Sequence, residues 1–492
     1  MNQNYLEKVY SGFIGMNVGI RLGAPVEPTI WSHERIYKTY GDITDYVKEY
    51  KNFAADDDAN GPVYFLRALD DEDISHGLTP QHIANTWLNY TREGIGMFWW
   101  GGYGVSTEHT AYLNFLRGVG SPVSGSYEFN GKTVADLIGV QIFVDTWGLV
   151  SPHDYKRAAE YAKAAASVSH DGEGVYGAMF MAAAISHAFD TENPEEIINV
   201  GLEVIPNDSE YAGVTRSVME FHKENPENFR DALDFLHEKW GYDKYPGIVH
   251  IIPNAGVCIL SLLYGEGDFN KTVEIATMCG WDTDCNAGNV GTIMGVAKGL
   301  QGIDKKYRDP INDFIVLSGI SGYLNILDIP TYSKKIARHG YELLGEEIPK
   351  ALVENFSEKD THFDFELPGS THNFRVSDPF YCRLSNTKDK AYEGERSLEI
   401  LFDRMVRGQR CKVYYKPFYR REDFSDERYM PVFSPKAYAG QEVRFMTNID
   451  RWNGESMFLS AYVRNTTTKE EVIIESRVVK DEGWVEWKFT IP

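Results

Sequence analysis

Apolar residues in the first 350 or so positions recur with a period close to that of an α-helix. The stretches 154–170 and 177–190 are rich in alanine and place small and large apolar side chains on one face. Residues 256–265 are almost entirely apolar, which indicates a buried central helix. We therefore predict that residues 1–350 form an all-α helical bundle.

The pattern changes after about residue 355, where apolar and polar residues alternate with a period of two. Such alternation between turn-forming clusters is typical of short antiparallel strands. We predict that residues 355–492 form a second domain, an antiparallel β-sandwich that resembles a jelly roll. The stretches that carry the pattern are 396–404, 442–449, 457–465, 470–479 and 484–492.

The composition narrows the class of protein. A hydrophobic fraction of 43% and an aromatic fraction of 13% are typical of a folded chain. The net charge of −23 would repel a phosphate backbone, so we expect no nucleic-acid partner. A metal cation, or a ligand carried with one, suits this charge better. The five cysteines include no CxxC pair, which indicates neither a disulfide framework nor a zinc module.

The sequence shows neither the pattern of a signal peptide nor that of a transmembrane helix. The first residues, MNQNYLEKVYSGFIG, lack a basic segment followed by an apolar core, so we predict no signal peptide. No run approaches the roughly 18 apolar residues that a transmembrane helix requires. We expect a cytoplasmic protein without a membrane partner.

Three adjacent acids, Asp56, Asp57 and Asp58, precede the apolar helical segment VYFLRAL. A solvated turn is one interpretation of such a cluster. The other is a ligand site, because carboxylates held together at the start of a helix repel one another unless a cation neutralises them.

A second acidic cluster, GWDTDCNAGN, places Asp282 and Asp284 one residue apart, with Cys285 behind them. The following residues are small and apolar at helical spacing, so the acids open a helix. One Asp would be enough to cap that helix. The second acid therefore indicates a site that gathers oxygen ligands, which suits Mg²⁺, Mn²⁺ or Ca²⁺ better than zinc.

Two further segments contain candidate functional residues, and each of these residues also has a purely structural interpretation. Glu27 follows a first helix in which glycines allow close packing and Pro25 ends the helix; a solvated loop residue is the alternative. His170 and Asp171, in SVSHDGEG, break a pair of alanine-rich helices, where a histidine is usually a hydrogen-bonded structural residue. The glycines of the first helix are Gly12, Gly15, Gly19 and Gly23.

Taken together, these segments resemble the ADP-ribosylglycohydrolase family. The resemblance rests on their order: the glycine-spaced helix ending in GAPVE, the DDD cluster, SHDG, and GWDTDCNAG, which is the most specific. It covers roughly residues 5–345. It implies an orthogonal all-α fold, a centre of two Mg²⁺ ions with Mn²⁺ as the alternative, and a small-molecule or ADP-ribosylated protein substrate.

The resemblance also implies roles for individual residues. Glu27 would activate or position the nucleophilic water, while Asp57 and Asp284 would serve both as ligands and in catalysis. His170 and Asp171 would lie near the substrate cleft, and so would Gln141 in the segment 139–150. The metal ligands would be Asp56, Asp57, Asp58, Asp282, Asp284 and Cys285.

An aromatic cluster supplies further candidates for substrate binding. Trp99, Trp100 and Tyr103 could stack on a base or a sugar ring. A buried aromatic knot is at least as good an interpretation of the cluster.

The departures from the family pattern bear on the substrate. Ile20 and Arg21 stand where the family has an acid and a small residue, and Asp56 and Cys285 stand in threonine positions. A thiol is a poor ligand for Mg²⁺, so the extra carboxylate at Asp56 could compensate for the oxygen lost at Cys285. The segment 139–150 also differs from the usual cleft-lining sequence.

Three functions remain open at this stage. The first is metal-assisted hydrolysis of a glycosidic bond at a ribose-like sugar, as in removal of ADP-ribose. The second is hydrolysis of other ribosyl or furanosyl glycosides or nucleosides, with the C-terminal domain binding carbohydrate. The third, favoured by the changes at Ile20, Asp56 and Cys285, is an inert homologue that binds a ligand without cleaving it.

Overall fold

The structure is a computed structural model that describes residues 4–27, 31–53, 57–96, 101–354, 360–424, 430–454, 457–479 and 483–492. The chain divides into two compact units. The first comprises residues 1–362 and 421–432, and the second comprises 363–420 and 433–492. The division into domains at 1–350 and 355–492 stays a prediction, while the segment 421–432, which we predicted inside the second domain, belongs to the first unit. Within that unit, Asn325 Nδ2 donates to the Val432 carbonyl at 2.7 Å.

The first unit is helical, as predicted from the spacing of its apolar residues. Its central helix, predicted at 256–265, begins earlier and is buried along its whole length. The described helices are α1 (Tyr5–Gly23), α2 (His33–Tyr40), α3 (Asp57–Phe65), α4 (Ala68–Asp71), α5 (Pro80–Tyr90), α6 (Thr107–Leu116), α7 (Tyr127–Asn130), α8 (Lys132–Ala135), α9 (Gly139–Ile142), α10 (Asp145–Leu149), α11 (Tyr155–Ala166), α12 (Glu173–His187), α13 (Pro194–Glu203), α14 (Glu210–Glu224), α15 (Phe229–Trp240), α16 (Ile251–Tyr264), α17 (Phe269–Met278), α18 (Thr283–Lys298), α19 (Lys305–Arg308), α20 (Ile329–Leu344) and α21 (Lys350–Glu354).

The prediction that this unit is all-α needs one correction. Two short strands, β1 (Phe314–Val316) and β2 (Ile326–Asp328), pair antiparallel ahead of α20. Each is three residues long and β1 is fully buried, so neither shows the alternation of buried and exposed positions by which a strand is recognised in a sequence.

Helices α1 and α18 pack antiparallel with their backbones in contact. A Cβ atom added at Gly15 would lie 2.2 Å from the Gly291 carbonyl oxygen, and one added at Gly19 would lie 2.0 Å from that of Ala287. A Cβ at Gly23 would lie 2.5 Å from the Asp284 backbone nitrogen. The predicted glycine spacing therefore serves close helix packing, and it brings the C-terminal end of α1 against the N-terminal end of α18.

The second unit contains short antiparallel strands, and the five stretches with alternating residues are all strands. Hydrogen bonds among the described residues join these strands in pairs, β3–β6, β4–β5, β7–β10 and β8–β9. A closed sandwich therefore stays a prediction. The strands are β3 (Arg375–Val376), β4 (Cys382–Thr387), β5 (Ser397–Phe402), β6 (Val413–Tyr414), β7 (Glu442–Asn448), β8 (Phe458–Arg464), β9 (Glu471–Val478) and β10 (Trp484–Thr490).

Across the described residues, none of the helices combines the length and the apolar character needed to cross a membrane.

Replacing Gly19 with valine should lower the free energy of unfolding by about 3 kcal/mol, because overpacking against a backbone oxygen forces α1 and α18 apart. Urea denaturation followed by circular dichroism measures this loss. Gly120→Ala is the matched control, since its added Cβ would meet only Gln81 Oε1 at 3.6 Å, and we expect a change within about 0.5 kcal/mol. Equal unfolding midpoints for Gly19→Val and the wild type would contradict the importance of this contact.

Candidate metal centre and substrate cleft

The N-terminal end of α18 carries two buried acids. Asp282 occupies the N-cap position but makes no capping hydrogen bond with its side chain, and Asp284 lies in the first turn. Their exposed fractions are 4% and 2%. The Asp284 Oδ1 atom accepts a hydrogen bond from the Cys285 N–H at 3.0 Å. Because the positive end of the helix dipole lies here, this is a favourable place for negative charge.

Helix α3 begins at Asp57 and brings further acids to the same place. Asp58 is 3% exposed, Asp57 is partly exposed, and Asp56 lies outside the described residues. Carboxylate oxygens of Asp58 and Asp284 and the Cys285 sulfur all lie within 4.8 Å of one another. Asp57 is close enough to influence the Cys285 thiol electrostatically.

A second group of donors shares Asp284 with the first. Carboxylate oxygens of Glu27, Asp282 and Asp284 also lie within 4.8 Å of one another. Glu27 comes just after α1 and is partly exposed, whereas the two aspartates are buried. The structure thus brings together five of the residues predicted from three distant segments: Glu27, Asp58, Asp282, Asp284 and Cys285.

The carboxylates of these two groups fit the divalent cations that the family resemblance implies. Ligands on opposite sides of a cation bound by oxygen are separated by about 4–5 Å, twice a typical metal–oxygen distance, so donors within 4.8 Å can share one ion. Burial and four neighbouring acids, led by Asp282, raise the pKa of the Cys285 thiol well above its usual value. The four carboxylates add to the effect of burial, and their negative charge is what a cation bound here would neutralise.

Asn254, on the mostly apolar α16, holds the loop that carries Asp282. Its Oδ1 atom accepts hydrogen bonds from the Asp282 N–H at 3.3 Å and from Asn286 Nδ2 at 2.9 Å. Its Nδ2 atom donates to the Tyr242 hydroxyl at 2.7 Å. Sequence reasoning missed this residue, although a single amide in an apolar helix was a signal that could have identified it.

Gln141 belongs to a buried hydrogen-bond network behind α18. Its Nε2 atom donates to Asn289 Oδ1 at 3.1 Å, and its Oε1 atom accepts from the Tyr211 hydroxyl at 3.0 Å. Asn289 Nδ2 donates in turn to Asp145 Oδ1 at 2.8 Å, and the Thr292 hydroxyl donates to Asp145 Oδ2. Gln141 is fully buried, so its amide ties α9 to α18 from within.

The predicted pair His170 and Asp171 lies between α11 and α12. His170 is buried, and its ring contacts the Ser169 hydroxyl at 2.7 Å and accepts the Val140 N–H at 3.3 Å. Burial lowers the pKa of His170 to about 3, so the ring is neutral at pH 7. Asp171 accepts the Tyr127 N–H at 3.0 Å and the Gly172 N–H at 2.8 Å.

The buried Glu108, which sequence reasoning did not identify, lies beside His170. The Glu108 Oε1 atom is 4.0 Å from His170 Nε2, and burial raises the pKa of this carboxyl group. No sequence signal distinguished Glu108 from an ordinary acid in the first turn of α6.

The predicted aromatic cluster is described only in part. Trp99 and Trp100 lie outside the described residues, whereas Tyr103 has an exposed fraction of 47% and holds the Arg117 guanidinium 4.7 Å from its ring centre.

Trp281, between Gly280 and Asp282, was missed as a separate feature. It has a φ of 63°, an unusual backbone conformation for so large a residue. The centre of its ring lies 4.4 Å from the ring centre of His237 and 5.2 Å from the ring centre of Tyr242.

Buried acids from the ends of separate helices meet in this helical domain. This arrangement is typical of an enzyme with a cation site. The family model described as ADP-ribosylglycohydrolase matches residues 1–334. The chain therefore belongs to the ADP-ribosylglycohydrolase family, whose members are hydrolases of ADP-ribose glycosidic linkages.

A solved structure titled "ADP-ribosylglycohydrolase-related protein complex" is similar to 70% of this chain and to 99% of its own, with 15% identity and a TM-score of 0.44. A search of curated proteins gives no match.

The Asp145→Asn variant should remove a pH dependence of stability. Burial raises the pKa of Asp145 to about 7 from an ordinary value of 3.8. The folded state therefore binds more protons between these values, and the free energy of unfolding falls as the pH rises from about 4 to about 7. Denaturant titrations at pH 5 and pH 7 should show the variant gaining stability relative to the wild type at the higher pH.

The control is Asp208→Asn, at an exposed position, which should shift the free energy of unfolding equally at both pH values. An Asp145→Asn variant whose stability relative to the wild type is the same at pH 5 and pH 7 would contradict the raised pKa.

Proposed function

We propose that this protein is a metal-dependent hydrolase that cleaves a glycosidic bond at a ribose-like sugar, with an ADP-ribosylated protein or a small ADP-ribosyl compound as substrate. The observation that carries the proposal is the pair of donor groups that share Asp284, one of them including Glu27. Mg²⁺ is the proposed cation, in a centre of two ions, with Mn²⁺ as the alternative. Family membership over residues 1–334 supports the reaction class.

Different residues of the chain would bind the cations and accept the proton of the attacking water. Asp57, Asp58, Asp282 and Asp284 would hold the cations; Asp56, a further predicted ligand, lies outside the described residues. Bound cations supply orientation and polarisation of the sugar oxygens. Glu27, the partly exposed member of its group, accepts the proton of the attacking water at its carboxylate while positive charge develops at the anomeric carbon.

The substrate lies over the segments that surround this cluster. Tyr103 is exposed enough to stack on a ring of the substrate. The same role stays a prediction for Trp99 and Trp100, which lie outside the described residues. His170 and Asp171 shape the cleft from the loop before α12. The neutral His170 ring and the buried Gln141 act by holding that loop and α9 in place.

A second candidate is hydrolysis of other ribosyl or furanosyl glycosides, with carbohydrate bound by a β-sandwich in the second unit. Trp452, with an exposed fraction of 39%, favours this candidate because it can offer a face to a sugar. Trp487 does not, since it is 2% exposed and stacks on Phe445 with ring centres 5.7 Å apart.

We expect EDTA-sensitive hydrolysis when the purified protein is given ADP-ribosylated protein, ADP-ribosyl compounds, simple ribosides and nucleosides with Mg²⁺. Glu27→Gln should lower kcat by about 10²–10⁴ because it removes the proton acceptor. Asp282→Ala combined with Asp284→Ala should abolish both turnover and the rise in melting temperature caused by Mg²⁺.

Asp268→Ala is the matched control. Asp268 caps α17 by accepting the Lys271 N–H at 2.8 Å, so its loss should cost some stability but leave turnover unchanged. Turnover of simple ribosides alone would establish the second candidate. No turnover, together with no stabilisation by Mg²⁺ or Mn²⁺, would overturn the proposal and favour an inert ligand-binding homologue.

A further inference from the structure

The two donor groups that share Asp284 differ in chemistry. The group of Glu27, Asp282 and Asp284 offers only oxygen atoms, whereas the group of Asp58, Asp284 and Cys285 includes a sulfur atom. Hard cations such as Mg²⁺ prefer oxygen, while sulfur ligands favour softer ions such as Zn²⁺ and Co²⁺.

We propose that the centre is mixed: the oxygen-only group takes Mg²⁺, and Cys285 makes its neighbour selective for a borderline cation such as Zn²⁺ or Co²⁺. This inference rests on the metal site of the proposed function, and it replaces one of the two Mg²⁺ ions proposed there with a borderline cation. Mg²⁺ at both positions is the alternative that the experiment must exclude.

The position of Cys285 favours coordination over simple packing. Cys285 is the third residue of α18, has an exposed fraction of 6%, and lies against the acids with its backbone N–H bonded to Asp284. A zinc ion has bonds of about 2.3 Å to sulfur and about 2.0–2.2 Å to oxygen, so its sulfur and oxygen ligands span at most about 4.5 Å. The observed donors, within 4.8 Å of one another, can meet that limit with small side-chain movements.

Other buried thiols of the first unit lie in different surroundings. The Cys258 sulfur is 3.5 Å from Asn286 Oδ1 and 3.8 Å from Gln141 Nε2, both of them amide atoms. Cys279 is also buried and free, and it belongs to neither donor group. Among the described residues, Cys285 is the cysteine that shares a possible metal group with carboxylates.

When a cation binds at this group, it replaces the proton of the Cys285 thiol, and neither the sulfur nor the cation is oxidised. The Cys285 S–H bond breaks and the sulfur keeps the electron pair, which it donates to the cation as the metal–sulfur bond forms. The proton leaves to solvent.

The experiment uses Co²⁺ as a spectroscopic probe on the full chain, prepared free of metal and then saturated with Mg²⁺. Wild-type protein should develop a near-ultraviolet thiolate-to-cobalt charge-transfer band that saturates at one equivalent. Cys285→Ser and Cys285→Thr should lose the band and bind Co²⁺ and Zn²⁺ more weakly, by on the order of tenfold or more. Their melting temperatures should still rise with Mg²⁺, because the oxygen-only group is intact.

Two controls separate this site from other thiols. Cys279→Ser removes a buried thiol from the same unit and should keep the band. Cys411→Ser should also keep it; this variant tests the second unit, where the Cys382 and Cys411 side chains lie in contact.

The outcomes separate the two proposals. Stabilisation by Co²⁺ without the charge-transfer band, or a band that survives in both Cys285 variants, overturns the role of Cys285 and leaves the oxygen-bound centre standing. Absence of stabilisation by every cation tested, in wild type as in the Asp282→Ala, Asp284→Ala variant, overturns the metal centre of the proposed function itself.

Discussion

The contact between the backbones of α1 and α18 is the constraint on which the rest of the site depends. Glycine at each crossing point lets the two helices approach until carbonyl oxygens meet α-carbons, as at Gly15 and Gly19. Because the helices run antiparallel, this register places Gly23 against Asp284. Glu27, four residues further along the chain, is thereby brought to the acids that open α18. A side chain at any of these glycines would move one half of the donor set away from the other.

Gathering buried acids in one place has an electrostatic cost, and the surrounding structure offsets part of it. The acids lie at the starts of α3 and α18, where free N–H groups and the helix dipoles favour negative charge. The loop before α18 is held by Asn254, and the Thr283 hydroxyl donates to the Gly23 carbonyl at 2.9 Å. The network of Gln141, Asn289 and Asp145 fixes the far side of α18. Such fully hydrogen-bonded networks stiffen a core and keep donors in position.

A sulfur ligand among oxygen ligands changes which ions a metal site favours. In the sequence, Cys285 of GWDTDCNAG only replaces an oxygen ligand of the family motif with a sulfur atom. In the structure, the Cys285 sulfur belongs to one of two donor groups, beside the oxygen-only group with which it shares Asp284. The same replacement can therefore be a loss for one cation and a gain for another. Which of these applies depends on the distances among Asp58, Asp284 and Cys285, and no linear motif contains them.

Local features were readable from the sequence because they depend on neighbours along the chain. Helical periodicity predicted the bundle, and alternation predicted five strands of the second unit. Acids at helix starts identified Asp58, Asp282 and Asp284 as candidate ligands, but only the family resemblance implied that they belong to one site. Strands β3, β4 and β6 were missed; two of them are only two residues long, too short to show a period. Asn254, Glu108 and Trp281 were missed because their roles arise from residues far away in the chain.

The sequence by itself thus determined the helical class, the glycine-lined helix and the chemical identity of the donors, since each follows from spacing and residue type. Tertiary structure alone decided that Gln141 and His170 are buried, hydrogen-bonded residues that hold α9 and the loop before α12. It alone also divided the donors into an oxygen-only group and a group that contains sulfur. The physical reason is that burial and ligand geometry depend on which helices meet, and at what distance, and the close packing of α1 on α18 sets that distance.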